Sequence, residues 1–194
     1  MTKRRIGILS LQGAVEPHVA HLEALGCEVV RLKTSKEILD PSIDAMIIPG
    51  GESSTMLRLI SVFDLETALL QFFATKPVWG VCAGSILMAR SVAPLPSGRT
   101  QKSFSLMDYD VHRNAYGSQL ESFEVSLPNV ERAVFIRAPQ FENIGPAIEV
   151  MASHEVRAVW LVQGNRMATS FHPELSMKVP SECHRYFVEE LVKN

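Results

Sequence analysis

Four short, largely apolar runs alternate with stretches of helical spacing in the first half of the chain: Arg5–Leu11 (RIGILSL), Cys27–Leu32 (CEVVRL), Ala45–Ile48 (AMII) and Pro77–Val81 (PVWGV). A strand with one wet face alternates polar and apolar residues, whereas continuous apolar runs need cover on both faces. Val15, Val19, Leu22 and Leu25 recur at helical spacing within Ala14–Leu25, and Gly26 takes the C-terminal cap position. Helical spacing resumes from Thr55 through Phe73 and again over Ala83–Arg90. This order predicts an α/β fold, a mostly parallel central sheet with helices on both faces.

The second half changes character. Ser91–Ser103 (SVAPLPSGRTQKS) carries two prolines and a glycine and reads as a loop. Ser122–Leu127, Ala133–Arg137, Ile148–Ser153, Val156–Val162 and Met167–Phe171 read as strands, several in antiparallel hairpins, with Gly164-Asn165 as a tight turn. A last helix is expected over Pro180–Val192. No repeat, linker or low-complexity tract divides the chain, so residues 1–194 are read as a single domain.

With 194 residues the chain can bury a substantial core. A net charge of -2 and scattered basic residues argue against a nucleic-acid surface. No apolar stretch reaches the roughly 18 to 20 residues of a membrane span. The chain enters a strand at once, without a signal peptide's layout. Cys27, Cys82 and Cys183 are too few and too odd in number for a disulfide framework, so a cytoplasmic location is expected. No two cysteines lie close enough for a zinc knuckle. His18 and His21 could share a helix face, but without a carboxylate-rich partner set they read as surface residues. No metal and no cofactor are expected.

Chemistry could sit at three places. Gly80-Val81-Cys82-Ala83-Gly84 places a cysteine between glycines at a strand-to-helix junction, the thiol counterpart of a nucleophile elbow. Glycines permit the sharp turn, and the N–H groups opening the helix favour a thiolate and later an oxyanion. The same pentad also fits a small buried cysteine beside a glycine-lined helix, and on these residues alone both readings stand. His172-Pro173-Glu174 follows a strand. A cysteine nucleophile needs a histidine to take and return its proton, and that histidine needs an orienting acceptor. Pro173 biases His172 toward extended geometry, in which side chains two apart point the same way, so Glu174 could hold the ring. A strand-end histidine beside a solvated glutamate is the plainer alternative. Pro49-Gly50-Gly51-Glu52-Ser53-Ser54 also follows a strand. Its glycines let backbone approach a ligand, and Ser53 or Ser54 is expected to cap the next helix. A phosphate loop is disfavoured by the missing lysine and by the charge of Glu52. All three segments fall at the carboxyl ends of strands, where open α/β sheets bind ligands.

Together, GILSLQGAV, IIPGGESS, GVCAG, RNAYGSQLESFE, FIRAP and SFHPEL resemble, in order, the glutaminase subunits of pyridoxal phosphate synthase, within the class I (triad-type) glutamine amidotransferases and their flavodoxin-like fold. GVCAG and SFHPE mark the wider superfamily; LQGAV, RNAYG with SFE, and FIRAP are the specific part. The resemblance implies that Cys82 attacks the side-chain amide of L-glutamine, with His172 as its base and Glu174 orienting His172. It implies oxyanion donors at Gly51 and Ala83, and substrate contacts at Gly50, Gly51, Glu52, Arg113, Ile136 and Arg137. It further implies that ammonia passes to a synthase subunit in a large hetero-oligomer, with Gln12 and Gly13 as candidates for sensing the docked partner. A glutaminase serving another synthase, for histidine or a purine, is the alternative, and a binding module without turnover a third. The chain departs from the family pattern at Glu16-Pro17, where Arg-Glu is usual, and at Val81 and Ser85, where threonine and leucine are usual. It also has Ser54-Thr55 for the usual Thr-Thr. None of these removes a catalytic group.

Overall fold

The computed structural model describes residues 3–94, 98, 100–113 and 122–192. Residues 114–121, most of the RNAYGSQLESFE segment, lie outside the described residues. Strands β1 (Arg5–Leu9), β2 (Glu28–Leu32), β3 (Ala45–Ile48), β4 (Val78–Val81), β10 (Glu149–His154), β11 (Arg157–Gln163) and β12 (Arg166–Thr169) form one sheet in the order β10-β11-β12-β4-β3-β1-β2. The five strands from β12 to β2 pair in parallel, while β10 and β11 add an antiparallel edge. A hairpin of β7 (Phe123–Leu127) and β8 (Val130–Phe135), and a small sheet of β5 (Ser91–Val92), β6 (Asp110–His112) and β9 (Gln140–Glu142), complete the strands.

The continuous apolar runs are explained by cover on both faces. Ala45 and Ile47 of β3 join Ile6, Ile8 and Trp79 on one face, under α1 (Glu16–Ala24) and α6 (Glu182–Tyr186). Met46 and Ile48 face the other side, under α3 (Ser53–Val62), α4 (Glu66–Thr75) and α5 (Ala83–Met88). Among the described residues, no helix is long and apolar enough to cross a membrane.

Local structure departs from the sequence reading where tertiary packing or capping decides. β1 stops at Leu9, short of Leu11. The helix expected over Thr55–Phe73 is two helices, α3 and α4, separated by a turn in which Asp64 has φ +51°. The apolar spacing persists because both helices pack on the same core. A one-turn helix, α2 (Ser35–Ile38), is set by a capping box in which Thr34 and Glu37 satisfy each other's N–H groups. The terminal helix begins after Ser181 and changes to a π-helical turn at Phe187–Leu191. β5, β6 and β9 are too short to show a strand period in sequence.

The largest correction concerns His18 and His21. Both are buried, 0% and 2% exposed, between α1 and α6. His21 stacks on His184 at 4.3 Å between ring centroids, and the rings of His18 and His184 both meet Trp79 edge-on. Spacing on a helix told that the two histidines share a face. It did not tell that this face was covered by Ser181 and His184 of the C-terminal segment.

Candidate active site

The nucleophile elbow is built by close backbone approach. A Cβ on Gly84 would lie 2.0 Å from the carbonyl oxygen of Ile48, and one on Gly80 would lie 2.6 Å from the backbone of Gly84. Only with hydrogen at both positions can α5 fold back onto β4 and β3. Between them Cys82 takes φ +47° and ψ -101°, a conformation that L-residues rarely adopt. Its N–H donates to the carbonyl of Thr169 at 2.8 Å, and its own carbonyl accepts from the Ser85 hydroxyl at 2.7 Å. Ser85 thus ties down the strained residue. Ala83 opens α5, so its N–H lies in the turn that has no intrahelical acceptor.

His172 follows β12, and its N–H donates to the carbonyl of Val134 at 2.8 Å. Nδ1 of His172 lies 2.7 Å from Oε1 of Glu174. The two side chains meet, but not by strand alternation as the sequence suggested. Pro173–Leu175 forms a 3-10 turn that brings the Glu174 carboxylate back to the ring. Both groups are buried, His172 at 8% and Glu174 at 3% exposure. Burial works against a charged imidazole, but the neighbouring Cys82 sulfur and the Glu174 carboxylate, hydrogen-bonded to the ring, raise the pKa of His172 to about 10. Burial likewise opposes the Glu174 carboxylate, yet the hydrogen bond with His172 and the nearby rings of His18 and His172 hold its pKa below the usual range.

The glycine loop closes over this pair. A Cβ on Gly50 would come within 2.4 Å of Cε1 of His172, so the loop lies directly against the imidazole. Gln12 and Gly13 buttress it from behind. The Gln12 side-chain oxygen accepts from the N–H of Glu52 at 2.9 Å, and the N–H of Ala14 donates to the carbonyl of Gly50 at 2.9 Å. Gly13 has φ +104°, and a Cβ there would lie 2.0 Å from that same carbonyl oxygen.

Glu52, not Ser53 or Ser54, caps α3, accepting from the N–H of Thr55 at 3.3 Å. It also accepts from the Ser54 hydroxyl and from Arg113, the latter at 2.6 Å. Burial opposes its charge, but Ser54, Arg113 and Thr55 together hold its pKa below the usual range. Arg113 also reaches Gln101 at 2.6 Å, and Gln101 accepts from Ser53 at 3.1 Å. Sequence reasoning missed Gln101, a polar residue in a stretch read as loop. Buried donors on Arg113 (Nε) and Gln101 (Nε2) have no partner among the described residues.

Cys82, His172, Gly50, Gly51, Glu52, Ala83, Arg113, Ile136 and Arg137 all line one cleft of about 220 Å³. Cys82 Sγ lies 3.9 Å from the carbonyl oxygen of Ile136. Every predicted catalytic, oxyanion and substrate residue therefore lines this cleft or, as with Glu174, lies one contact behind it. Cys27 and Cys183 are buried elsewhere; burial pushes the Cys183 thiol well above its ordinary pKa. Such a site suits acyl transfer: a thiol with its base, and backbone donors beside the reacting atom.

Comparison with known proteins agrees with this chemistry. The chain is 43% identical over 192 residues to the pyridoxal 5'-phosphate synthase subunit PdxT of Thermoanaerobacter sp. (strain X514), covering 95% of this chain and 97% of that one. It is 38% identical over 195 residues to the protein of the same name from Oenococcus oeni, covering 98% of each. A crystal structure of a glutamine amidotransferase superposes with a TM-score of 0.83 at 34% identity, covering 96% of this chain and 98% of that one. A putative GMP synthase subunit from Thermoplasma acidophilum, 14% identical with a TM-score of 0.65 over 99% of this chain and 94% of that one, shares the fold alone. Residues 8–193 match one family throughout, and the chain belongs to the SNO glutamine amidotransferase family.

Proposed function

We propose that this protein hydrolyses L-glutamine to L-glutamate and ammonia at Cys82, and passes the ammonia to a synthase subunit that makes pyridoxal 5'-phosphate. The observation that carries the reading is the convergence on one cleft of a cysteine held at φ +47° and a histidine hydrogen-bonded at 2.7 Å to a buried glutamate. The proton given up by Cys82 rests on His172, stabilised there by Glu174. The sulfur attacks the carboxamide carbon, and the N–H groups of Gly51 and Ala83 take the oxyanion. His172 then protonates the departing ammonia, leaving a thioester. The same imidazole deprotonates the water that releases glutamate.

The amino-acid head of glutamine carries one ammonium and one carboxylate, and the cleft wall carries the Glu52–Arg113 pair with Arg137 nearby. Glu52 suits the ammonium and a guanidinium suits the carboxylate. Gly50 and Ile136 shape the walls against the side chain. Gln12 and Gly13, packed on the glycine loop, are where a docked synthase would be felt at the oxyanion donors. Three buried free thiols suit a reducing cytoplasm.

The test is glutamate release from glutamine with the purified chain, alone and mixed with the pyridoxal 5'-phosphate synthase partner. Activity should appear or rise with the partner and vanish in Cys82→Ala. Full activity in that variant would overturn the mechanism. Stimulation by a histidine or purine synthase instead would overturn the pathway assignment.

A further inference from the structure

Glu174 keeps one carboxylate oxygen, Oε1, on His172; its other, Oε2, is buried and has no hydrogen-bond partner among the described residues. An unpaired carboxylate oxygen at such depth is costly. On the α1 side of the same residue lies a second orphan, Nε2 of His18, also buried without a partner. The two residues interact electrostatically, and α1 lies against this segment, because His21, one turn further along α1, reaches the main-chain carbonyl of Glu174 at 3.2 Å. His21 Nδ1 accepts from the N–H of Ser181 at 3.0 Å, so its proton is on Nε2 and it donates to Glu174.

The tautomers of the other two rings follow from the same accounting. Nδ1 of His18 lies 2.8 Å from Nε2 of His184, and Nδ1 of His184 lies 2.6 Å from the Ser181 hydroxyl. If His18 donated to His184, then His184 would donate to Ser181, and the serine proton would lack an acceptor. Nε2 of His18 would also turn a lone pair toward a carboxylate. The reverse direction satisfies every group: Ser181 O–H to His184, His184 Nε2–H to His18, leaving Nε2–H of His18 as a free donor. Burial keeps His18 neutral, its pKa lowered to about 4, which removes the doubly protonated alternative at neutral pH.

We propose that His18 is a positioning residue whose Nε2–H closes onto the free oxygen of Glu174, the two atoms that stand unpaired in this structure, completing a hydrogen-bond chain Ser181–His184–His18–Glu174–His172 that ends at the nucleophile. With His21 on the main-chain carbonyl, α1 then holds Glu174 from both sides. This fixes the carboxylate plane, and through it the ring that must alternate between base and acid. The proposal rests on the reading of Cys82, His172 and Glu174 given above. The titratable groups facing His18 are His21 on its own helix, Glu174 and His172 after β12, and His184 on α6.

The test pairs two amides. In His18→Gln the side-chain amide reaches the Nε2 position and can donate to Glu174. In His18→Asn it reaches only the Nδ1 position, keeping the contact with His184. Assayed with the synthase partner, His18→Asn should lose roughly tenfold or more in kcat with KM for glutamine unchanged, as expected for a group that orients a catalytic partner. The pH profile of Cys82 alkylation by iodoacetamide should shift in the same variant. His18→Gln should recover most of both. Equal losses in the two variants, or none in either, would overturn the proposal. Long-range 15N NMR on the unmodified chain gives a readout free of folding defects and of turnover: His18 and His184 should both carry their proton on Nε2, and a proton on Nδ1 of either refutes the chain. Failure of the glutaminase reading itself would show separately, as full activity in Cys82→Ala.

Discussion

Cys82 occupies a backbone conformation that costs on the order of 1–3 kcal/mol. Its neighbours hold it there through Thr169, Ser85 and the close packing of Gly84 on β3. At this scale the reactive geometry is a matter of tenths of an ångström, and Gly50 shows it most directly. In Gly50→Ala the new methyl would sit 2.4 Å from Cε1 of His172, a ring already tied to Glu174. The ring must shift, and a displacement near 1 Å at a reacting group costs on the order of 100-fold in rate. We expect kcat to fall by about that factor while the melting temperature changes little. Steady-state glutaminase assays with the partner present, beside a thermal melt, check this; an unchanged kcat would show that the loop does not confine the imidazole.

At the scale of elements, the elbow is the joint on which the site depends. Gly84→Ala places a methyl 2.0 Å from the carbonyl oxygen of Ile48, and a strand backbone at the centre of the sheet has nowhere to go. Overpacking of this kind costs about 1–3 kcal/mol, and at least the upper end is expected for a backbone clash. In a chain of this size about 3 kcal/mol lowers the melting temperature by about 6–12 °C. Calorimetry of the variant decides it, and a melting point within a degree of the parent would refute the close-approach account. The pentad made the turn legible in sequence, though its glycines and cysteine alone fitted a buried structural thiol equally well. Only His172, Glu174 and the Gly50-Gly51 loop at the same sheet edge favoured the nucleophile. The parallel order of β1 to β4 was legible too, from runs apolar at nearly every position. Other features left no such trace. The break at Asp64 is invisible because both helices present apolar spacing to one core. The turn that returns Glu174 to His172 is made by Pro173–Leu175, where sequence alone suggested plain extension. The burial of His18 and His21 depends on α6, whose docking no local pattern near α1 records.

For the whole molecule, the buried histidines between α1 and α6 set how stability responds to pH. Burial lowers the pKa of His18 to about 4, an effect eased by the charge of Glu174 and reinforced by His21 and His172. Burial also holds His184 well below its ordinary value, and His21 below its own. In the unfolded chain all three titrate near 6.5. Below about pH 6.5 the unfolded chain therefore binds protons that the folded chain refuses. Their contribution is complete above that value and is lost as pH falls toward the folded pKa, by up to about 1.4 kcal/mol per pH unit for each histidine. Glu174, held low in the fold, adds to the loss at still lower pH. His172 works in the opposite sense. Its folded pKa is raised to about 10, but the proton it holds is the one Cys82 gives up. Between about pH 6.5 and 8.5 the pair therefore binds as many protons folded as unfolded. Its contribution drains away only above about pH 8.5, where the unfolded thiol ionises and the folded imidazole keeps its proton. Cys183, buried with its thiol protonated, adds to the loss at the alkaline end. Stability should thus be level between about pH 6.5 and 8.5 and fall on both sides, more steeply on the acid side, where three histidines act together. Urea unfolding midpoints at about pH 5, 7.5 and 9.5 read this directly. In His172→Gln the alkaline decline should flatten while the acid decline stays, because the groups responsible for the two limbs are different residues. A midpoint that rose between about pH 7.5 and 9.5 in the unmodified protein would mean that His172 is not held protonated between Cys82 and Glu174.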